Sequence, residues 1–395
     1  MKNVIEVKKD VYWIGVNDRD TRYFEKLWPL PNGITYNSYL IDADKVVLID
    51  TVKSTEATNY INNIKDKIGD RPVDYLVINH MEPDHSGAIK ELLNVYPDLK
   101  IIGNSKTFEM LKNYYGVEDN LVTIENKEEI DLGNYTLKFF MTPMLHWPET
   151  MMTYLEEHGI LFSGDAFGGF GSLDGGIFDD EVNIDFYENE IMRYFTNIVG
   201  KYSPMVISAI NKLADLDVNV VASTHGPIWR ENPKKIIDDY RSWSEYEPKD
   251  GAVIVYGSMY GNTERMADYI ARCLSESGIK NIRIYDSSKT HESYLINEIW
   301  KYEYVFLGSC AYNTRAFPKM ESLMNALVNK KLKNKKVATF GSFTWSGGGV
   351  STLNEFVEKL GWEELGDSIE FKGAPKKENF EQAEKLACEV GKCIE

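Results

Sequence analysis

The sequence predicts a two-domain protein, with an α+β half followed by an α/β half that is built on a doubly wound parallel sheet. A length of 395 residues is enough for two hydrophobic cores. Up to about residue 245, short apolar strands are separated by turns, whereas strands and helices alternate from Ala252 onwards. The charged, turn-forming segment 244–251 lies between the two patterns, and we therefore predict domains at 1–248 and 249–395.

In the N-terminal half, several predicted strands are almost continuously apolar and end in polar residues. They are Thr35–Ile41, Lys45–Asp50, Tyr75–Asn79, Lys100–Gly103, Tyr135–Thr142 and Gly159–Ser163. Strands of this kind are typical of sheets that are covered on both faces. We therefore expect a functional site at the ends of these strands.

The C-terminal half has five predicted strands, joined by helices. They are Ala252–Tyr256, Asn281–Tyr285, Tyr304–Gly308, Lys336–Phe340 and Ile369–Lys372. In the first helix, predicted from about Asn262 to Ser277, Met266, Ile270 and Leu274 recur every four residues and mark one buried stripe. This pattern predicts a doubly wound sheet with the strand order 2-1-3-4-5.

Composition excludes several classes of partner and location. The net charge of −17 argues against nucleic acid and anionic membranes as partners. No apolar stretch is long enough to span a bilayer, and the N-terminus does not have the pattern of a signal peptide. The four cysteines are scattered and contain no C-x-x-C pair, which favours a cytoplasmic location and argues against a built-in rubredoxin-type iron centre.

The most informative motif is the run His-Met-Glu-Pro-Asp-His at 80–85, which holds two imidazoles and two carboxylates. Three more candidate ligands follow in short segments that are marked by glycine, proline or aromatic residues. The full set is His80, Glu82, Asp84, His85, His146, Asp165 and His225. Seven ligands are more than one metal ion needs and about right for two. Imidazoles with carboxylates suit zinc, iron or manganese, and the lack of a nearby thiolate argues against a structural zinc site.

Three loops of the C-terminal half carry a second set of candidates. The first follows strand Ala252–Tyr256 and opens a helix, so its hydroxyl and N–H groups predict a cradle for a phosphate. The other two follow the third and fourth strands and bring glycines and aromatic rings to the same sheet edge. The candidates are Ser258, Met259, Tyr260, Gly261, Asn262 and Thr263, then Ser309, Cys310, Ala311, Tyr312 and Asn313, then Ser342, Phe343, Thr344, Trp345, Ser346, Gly347 and Gly348.

The first of these loops resembles the FMN phosphate loop of the flavodoxins, [ST]-x-[ST]-G-x-T, with Tyr260 at the middle hydroxyl position. The resemblance implies bound FMN, with Tyr312 or Trp345 stacked on the ring. The alternative is a domain of the same fold that binds no cofactor, as in response regulators. Those domains use acidic pockets, and no acidic cluster occurs at these strand ends.

The run at 80–85 resembles the H-x-[HE]-x-D-H signature of the metallo-β-lactamase superfamily. That resemblance implies a four-layer αββα sandwich with two metals at one end. It places His80, Glu82 and His146 on one metal and Asp84, His85 and His225 on the other, with Asp165 as the bridge. Zinc hydrolases of the superfamily usually have histidine at the position of Glu82, and the carboxylate makes each set the mixed ligation familiar for non-haem iron.

Together, the two halves resemble the flavodiiron proteins over essentially the whole chain. This implies a cytoplasmic enzyme with two non-haem irons and FMN per chain, which reduces O2 to water or NO to nitrous oxide. Rubredoxin is the usual electron donor of that family. The family also forms a head-to-tail homodimer, or a dimer of such dimers, that brings each FMN to the partner's irons. The segment from Arg22 to Glu25 matches one that lines the iron pocket in the family, so Tyr23 and Glu25 are candidate pocket residues, and Tyr194 is a further candidate.

Two other functions remain open at this stage. One is a dinuclear zinc hydrolase with an appended flavodoxin. The other is an electron carrier of the flavodoxin type in which only the C-terminal half works. Neither the preference between O2 and NO nor the identity of the donor follows from the sequence.

Overall fold

A computed structural model describes residues 4–394, with side chains up to residue 391. The chain packs into two compact units, Met1–Ser244 and Glu245–Glu395. The domain limits predicted from the sequence, 1–248 and 249–395, lie four residues later and stay a prediction. Among the described residues, no helix combines the length and apolar character needed to cross a membrane.

The first unit contains sixteen short strands within the described residues. They are β1 Ile5–Lys8, β2 Val11–Trp13, β3 Val16–Asp18, β4 Tyr23–Phe24, β5 Trp28–Pro29, β6 Ile34–Tyr36, β7 Tyr39–Asp42, β8 Val46–Ile49, β9 Tyr75–Val77, β10 Lys100–Gly103, β11 Leu121–Thr123, β12 Glu129–Asp131, β13 Thr136–Met141, β14 Met151–Leu155, β15 Ile160–Gly164 and β16 Val220–Ser223. Most of them form two mixed sheets, in the orders β1-β2-β7-β8-β9-β10-β11 and β12-β13-β14-β15-β16.

From residue 4 to the end of this unit, seven α-helices accompany the sheets. They are α1 Ala57–Ile68, α2 Pro83–Ser86, α3 Ile89–Val95, α4 Ser105–Tyr115, α5 Glu188–Tyr194, α6 Ser203–Lys212 and α7 Pro233–Ser244. In α1, the apolar residues Tyr60, Ile61, Ile64 and Ile68 recur at helical spacing and are buried. Helix α4 begins after Asn104, whose side chain accepts the N–H groups of the first turn, and it ends at a left-handed glycine.

The segment predicted as one strand from Thr35 to Ile41 is two strands, β6 and β7, in different sheets. The interruption falls at Asn37, whose side chain donates to the carbonyls of Ser223 and Gly226 and accepts from Trp13 Nε1. A buried amide with this many partners directs the backbone towards the loop after β16. The break therefore joins the end of β16 to the first sheet.

The second unit has the predicted doubly wound fold. Its strands are β17 Lys249–Gly257, β18 Ile282–Asp286, β19 Tyr302–Cys310, β20 Lys336–Phe343, β21 Glu363–Glu364 and β22 Ile369–Lys372. Its helices are α8 Asn262–Glu276, α9 Glu292–Lys301, α10 Pro318–Lys330, α11 Gly349–Leu360 and α12 Lys377–Ile394. The parallel order β18-β17-β19-β20-β22 confirms the expected 2-1-3-4-5 arrangement.

Sequence reasoning missed β21, which pairs with the start of β20 while β22 pairs with its end. Two short segments thus share the place that one edge strand would fill. The predicted stripe of α8 is confirmed, since Met266, Ile270 and Leu274 are buried against the sheet and α12. This apolar packing holds the loops after β17, β19 and β20 at one sheet edge.

Candidate metal centre and cofactor loops

The seven candidate ligands lie beyond the carboxyl ends of four strands in the first unit. The run 80–85 follows β9 and includes the short helix α2, which begins at Pro83. His146 follows β13, Asp165 follows β15 directly, and His225 lies two residues beyond β16. Pro83 is the first residue of α2, and this helical turn brings Asp84 and His85 back towards the other ligands.

One group of ligand atoms gathers around Oδ2 of Asp165. His146 Nε2 lies 2.8 Å and His80 Nε2 3.7 Å from this oxygen. Oε2 of Glu82 lies 3.3 Å from His80 Nε2 and 3.4 Å from His146 Nε2. The four residues each offer one atom within 4.8 Å of the others, a spacing that fits a metal ion at their centre.

A second group gathers around the other oxygen of the same carboxylate. His85 Nε2 lies 2.8 Å and His225 Nε2 3.7 Å from Asp165 Oδ1. Oδ2 of Asp84 lies 3.3 Å from both imidazole nitrogens. Asp165 therefore presents one oxygen to each group, as a bridging ligand would.

The buried, unpaired ligand atoms and the negative charge of the carboxylates make this centre suitable for cations. Both oxygens of Asp84 and Nε2 of His225 are buried without a hydrogen-bond partner. Burial alone would lower the pKa of His85, but Asp84 and Asp165 outweigh it and raise the pKa to about 9. Burial would likewise raise the pKa of Glu82, but His146 and His80 lower it to about 2. Metal ions would coordinate these unpaired oxygen and nitrogen atoms and would also balance the negative charge of the clustered carboxylates.

Two buried carboxylates behind the ligands were not predicted. Oε1 of Glu149 accepts from His80 Nδ1 at 2.7 Å and from the backbone N–H of Met81 at 3.0 Å. Asp50 accepts from the backbone N–H and the side-chain amide of Asn79, at 2.8 and 3.1 Å. A lone carboxylate at a strand end gives little signal in a sequence, because its partner lies far away along the chain.

The structure brings two of the three predicted pocket residues close to the ligands. The Tyr194 ring lies 5.5 Å from that of His225, and its hydroxyl is buried without a partner. Glu25 is exposed, but partial desolvation, together with the charge of Glu82, raises its pKa, and Trp28 Nε1 donates to it at 3.0 Å. Tyr23 is half exposed, whereas its neighbour Phe24 packs edge-on against His225. Alternation along β4 directs Phe24, and not Tyr23, inwards.

In the second unit, the loop after β17 ends at an open helix terminus. Helix α8 begins after Gly261, which has a φ of 87° and caps the helix with no side chain. Ser258 Oγ accepts from the N–H of Gly261 at 3.1 Å, which closes the loop. Uncapped N–H groups at the start of a long helix fit a phosphate.

The three loops are tied together by polar contacts. Thr263 Oγ1 and Ser342 Oγ lie 2.9 Å apart, and the N–H of Ala311 donates to the carbonyl of Ser342 at 2.8 Å. A Cβ on Gly348, where φ is 116°, would lie 2.0 Å from the carbonyl oxygen of Thr314. The hydroxyls of Thr263 and Ser309 already make hydrogen bonds within the protein.

Large side chains, most of them aromatic, are exposed on these loops. Trp345 and Tyr260 are 85% and 90% exposed, and Tyr312 and Met259 are each 42% exposed. Large apolar side chains so placed beside an open helix terminus fit a cofactor with a phosphate and a flat ring. Of the remaining predicted contact residues, Asn313, Thr344, Ser346 and Gly347 lie in these loops, whereas Asn262 begins α8, Cys310 ends β19 and Phe343 ends β20.

Family models match most of the chain. Residues 34–226 match the ODP family of β-lactamases, and residues 254–386 match the flavodoxins. An uncharacterised protein of Methanocaldococcus jannaschii is 36% identical, over 96% of each chain. The anaerobic nitric oxide reductase flavorubredoxin of Escherichia coli is 32% identical, over 98% of this chain and 82% of the relative.

Two solved structures are similar to nearly the whole of this chain. The rubredoxin oxygen:oxidoreductase of the anaerobe Desulfovibrio gigas has a TM-score of 0.94 and 28% identity, covering 99% of this chain and 98% of the other. The flavodiiron protein of Giardia intestinalis has the same TM-score and 27% identity, covering 99% and 97%. These full-length similarities and the shared pair of domains confirm the resemblance seen in the sequence. The chain belongs to the family of flavorubredoxins and flavodiiron proteins.

Proposed function

We propose that this protein is an oxidoreductase that reduces O2 to water, NO to nitrous oxide, or both, at a non-haem diiron site supplied with electrons through FMN. The observation that carries the proposal is the position of Asp165, with one carboxylate oxygen towards each of two ligand groups. Each group adds two imidazoles and one carboxylate. The relatives support both gases, since one is named for NO and another for oxygen.

Ligand chemistry favours iron over zinc. The described residues around the centre provide no thiolate, and Glu82 supplies a carboxylate where zinc hydrolases of this fold usually have histidine. Two imidazoles and a carboxylate on each metal are the ligation preferred by non-haem iron. The buried carboxylates also compensate the charge of ions that change oxidation state.

Electron counting supports the joining of these two units. Reduction of O2 to two waters takes four electrons, while coupling two NO to nitrous oxide takes two. Bound irons would bind and activate the gas and contribute one electron each, and reduced FMN would supply two more. The exposed loops of the second unit offer FMN the surface through which a donor could reach it.

Pocket residues of this chain would orient the substrate and exclude water. The hydroxyl of Tyr194 is buried, and no protein group accepts a hydrogen bond from it. It is therefore available to donate a hydrogen bond to a bound gas. Phe24 and Phe170 pack around Tyr194, at 6.1 and 5.1 Å between rings, and keep this side apolar. Glu25 lies near Glu82 with its side chain exposed, and we propose it as the group that passes a proton from solvent to this pocket.

We also propose a small external electron donor of the rubredoxin type and a head-to-tail homodimer, alone or paired into a dimer of dimers. A cytoplasmic location is part of the proposal, and it agrees with the free state of Cys273, Cys310 and Cys388. Sedimentation of the purified protein tests the oligomer. A monomer at all concentrations would contradict the dimer and leave the chemistry open.

One experiment tests the activity. The protein is purified, its iron, zinc and flavin are measured, and the anaerobically reduced form is exposed separately to O2 and to NO. We expect about two irons and one FMN per chain, with consumption of at least one gas. If both cofactors are present and neither gas is consumed, the proposal is wrong.

The two alternatives predict different results in the same samples. A zinc hydrolase would contain two zinc ions and would show no flavin-dependent gas consumption. A simple electron carrier would keep its full activity when His85 or Asp165 is replaced. We expect such variants to lose gas reduction and to retain flavin reduction.

A further inference from the structure

We propose that Glu149 makes the two metal positions unequal, so that the position formed by His80, Glu82 and His146 binds the first metal ion. This inference rests on the proposed function, because it assumes that the two ligand groups hold metals. Glu149 contacts no ligand atom that would face a metal, so it is a positioning residue and acts through His80.

The contact between Glu149 and His80 is direct and sheltered. Oε1 of Glu149 lies 2.7 Å from His80 Nδ1, and the two side chains are 0% and 1% exposed. A carboxylate accepts the N–H of Nδ1, which leaves Nε2 as the atom that binds a metal. Nε2 is also the atom that faces Glu82 and Asp165, at 3.3 and 3.7 Å.

The second position has no comparable support. His225 Nδ1 donates to the carbonyl oxygen of Thr35 at 2.6 Å, which is a neutral acceptor. Nδ1 of His85 is buried without a hydrogen-bond partner. Asp50 lies behind the centre and its charge acts mainly on His85, but it accepts from the backbone N–H of His80 and, among the contacts described, from neither imidazole.

The consequence is a difference in affinity. An anionic partner makes an imidazole a stronger metal ligand, and the loss of such a partner typically weakens metal binding about 10- to 100-fold. One of the two positions has an imidazole with this support, and the other has none among the contacts described. Metal ions added to the metal-free protein should therefore fill the two positions in sequence.

The test uses the full-length protein with its FMN, freed of metal by chelation. Mn²⁺ is added stepwise and followed by calorimetry, and crystals with one equivalent per chain locate the ion by anomalous scattering. We expect two separable binding steps, with the first ion between His80, Glu82 and His146. Equal occupancy of the positions, or initial filling of the position of His225, would overturn the inference.

The variant Glu149→Gln isolates the charge, since its amide oxygen still accepts from His80 Nδ1 and from the N–H of Met81. We expect the first binding step to weaken about 10- to 100-fold and the second to change much less. The matched control is Glu156→Gln, an exposed carboxylate lost from the same unit. It should leave both steps unchanged, and FMN content and melting temperature show that each variant is folded.

The outcomes separate the two proposals. If the wild-type protein binds no Mn²⁺ and no iron, the proposed metal centre itself fails. If it binds two ions and Glu149→Gln weakens neither step, or both steps equally, the metal centre stands and the inference about Glu149 is wrong.

Discussion

The two units prepare their sites in opposite ways. In the first unit, seven side chains form two groups, in each of which the ligand atoms lie within 4.8 Å of one another, and nearly all of the seven are buried. In the second unit, the cofactor loops offer backbone N–H groups and aromatic rings, several of them largely exposed. A metal ion binds to ligand atoms that are already in place, whereas a flat cofactor binds against an exposed surface of backbone and aromatic rings and buries it.

This difference predicts how each site will fail. A metal centre made of charged side chains depends on single atoms, so one substitution should remove it. A loop site made mainly of backbone depends on chain geometry, so the damaging substitutions are those that move the backbone. Three changes test the contrast, in order of decreasing effect, and a fourth tests a buried amine that lies away from both sites.

The largest effect is expected from Asp165→Asn. An amide cannot present an anionic oxygen to each ligand group, so metal content should fall below one ion per chain and gas consumption should be lost. FMN content should not change, because the loops lie in the other unit. Metal analysis and flavin absorbance measure both, with Asp174→Asn as an exposed control in the same unit. Full metal content in Asp165→Asn would rule out the bridging role.

Gly348→Ala should affect only the second unit. The added Cβ would lie 2.0 Å from the carbonyl of Thr314, in a backbone conformation that favours glycine, so the loops must shift. We expect FMN affinity to fall at least about tenfold, measured by fluorescence titration of the flavin-free protein, with metal content unchanged. Gly361→Ala is the matched control, since its φ is also positive but no atom lies within 4 Å of the new Cβ. If both variants bind FMN normally, the close approach of these loops does not matter for the cofactor.

A smaller effect on catalysis is expected from Tyr194→Phe. Its hydroxyl has no partner in the protein, so removing it should leave stability unchanged or raise it by about 1 kcal/mol. Loss of a donor to the bound gas should lower kcat about tenfold or more. Tyr240→Phe provides the contrast, because its hydroxyl donates to the carbonyl of Gly168 at 2.9 Å. That variant should lose about 1 kcal/mol of stability, and equal kcat losses in the two would deny Tyr194 a special role.

The smallest effect on either site is expected at Lys335, near the opposite end of the second unit's strands. Burial lowers its pKa to about 7 from 10.5, and its amine donates to the carbonyls of Trp300 and Tyr302 at 2.7 and 2.8 Å. Between these two pKa values the unfolded chain binds more protons, so stability should increase as the pH rises through that window. Below about pH 7 the amine is protonated in both the folded and the unfolded chain, and this contribution to stability is lost.

Lys335→Met removes this titration. The stability of the wild type relative to the variant should increase between about pH 6.5 and about pH 10, by on the order of 1 kcal/mol or more. Urea unfolding at the two pH values measures it. An identical change in both proteins would show that Lys335 is not buried as a neutral amine.

Sequence reasoning anticipated the fold class, the strand order of the second unit and the pair of cofactors. These features depend on local periodicity and on motifs within a few residues, such as the run 80–85 and the loop after β17. It missed Glu149, which lies 69 residues from His80 along the chain, and the inward side of β4, where Phe24 takes the place expected for Tyr23. It also joined β6 and β7, because the partners of Asn37 lie near residue 225.

The sequence by itself determined which donors are available, in which order they occur and what kinds of sheet carry them. Only the tertiary structure decided which oxygen of Asp165 faces which ligands, that Glu149 holds His80, and that the Tyr194 hydroxyl has no partner. The physical reason is the distance along the chain over which each effect acts. Propensity and periodicity act within one strand or helix, whereas contacts at a site depend on which strand ends become neighbours in the folded sheets.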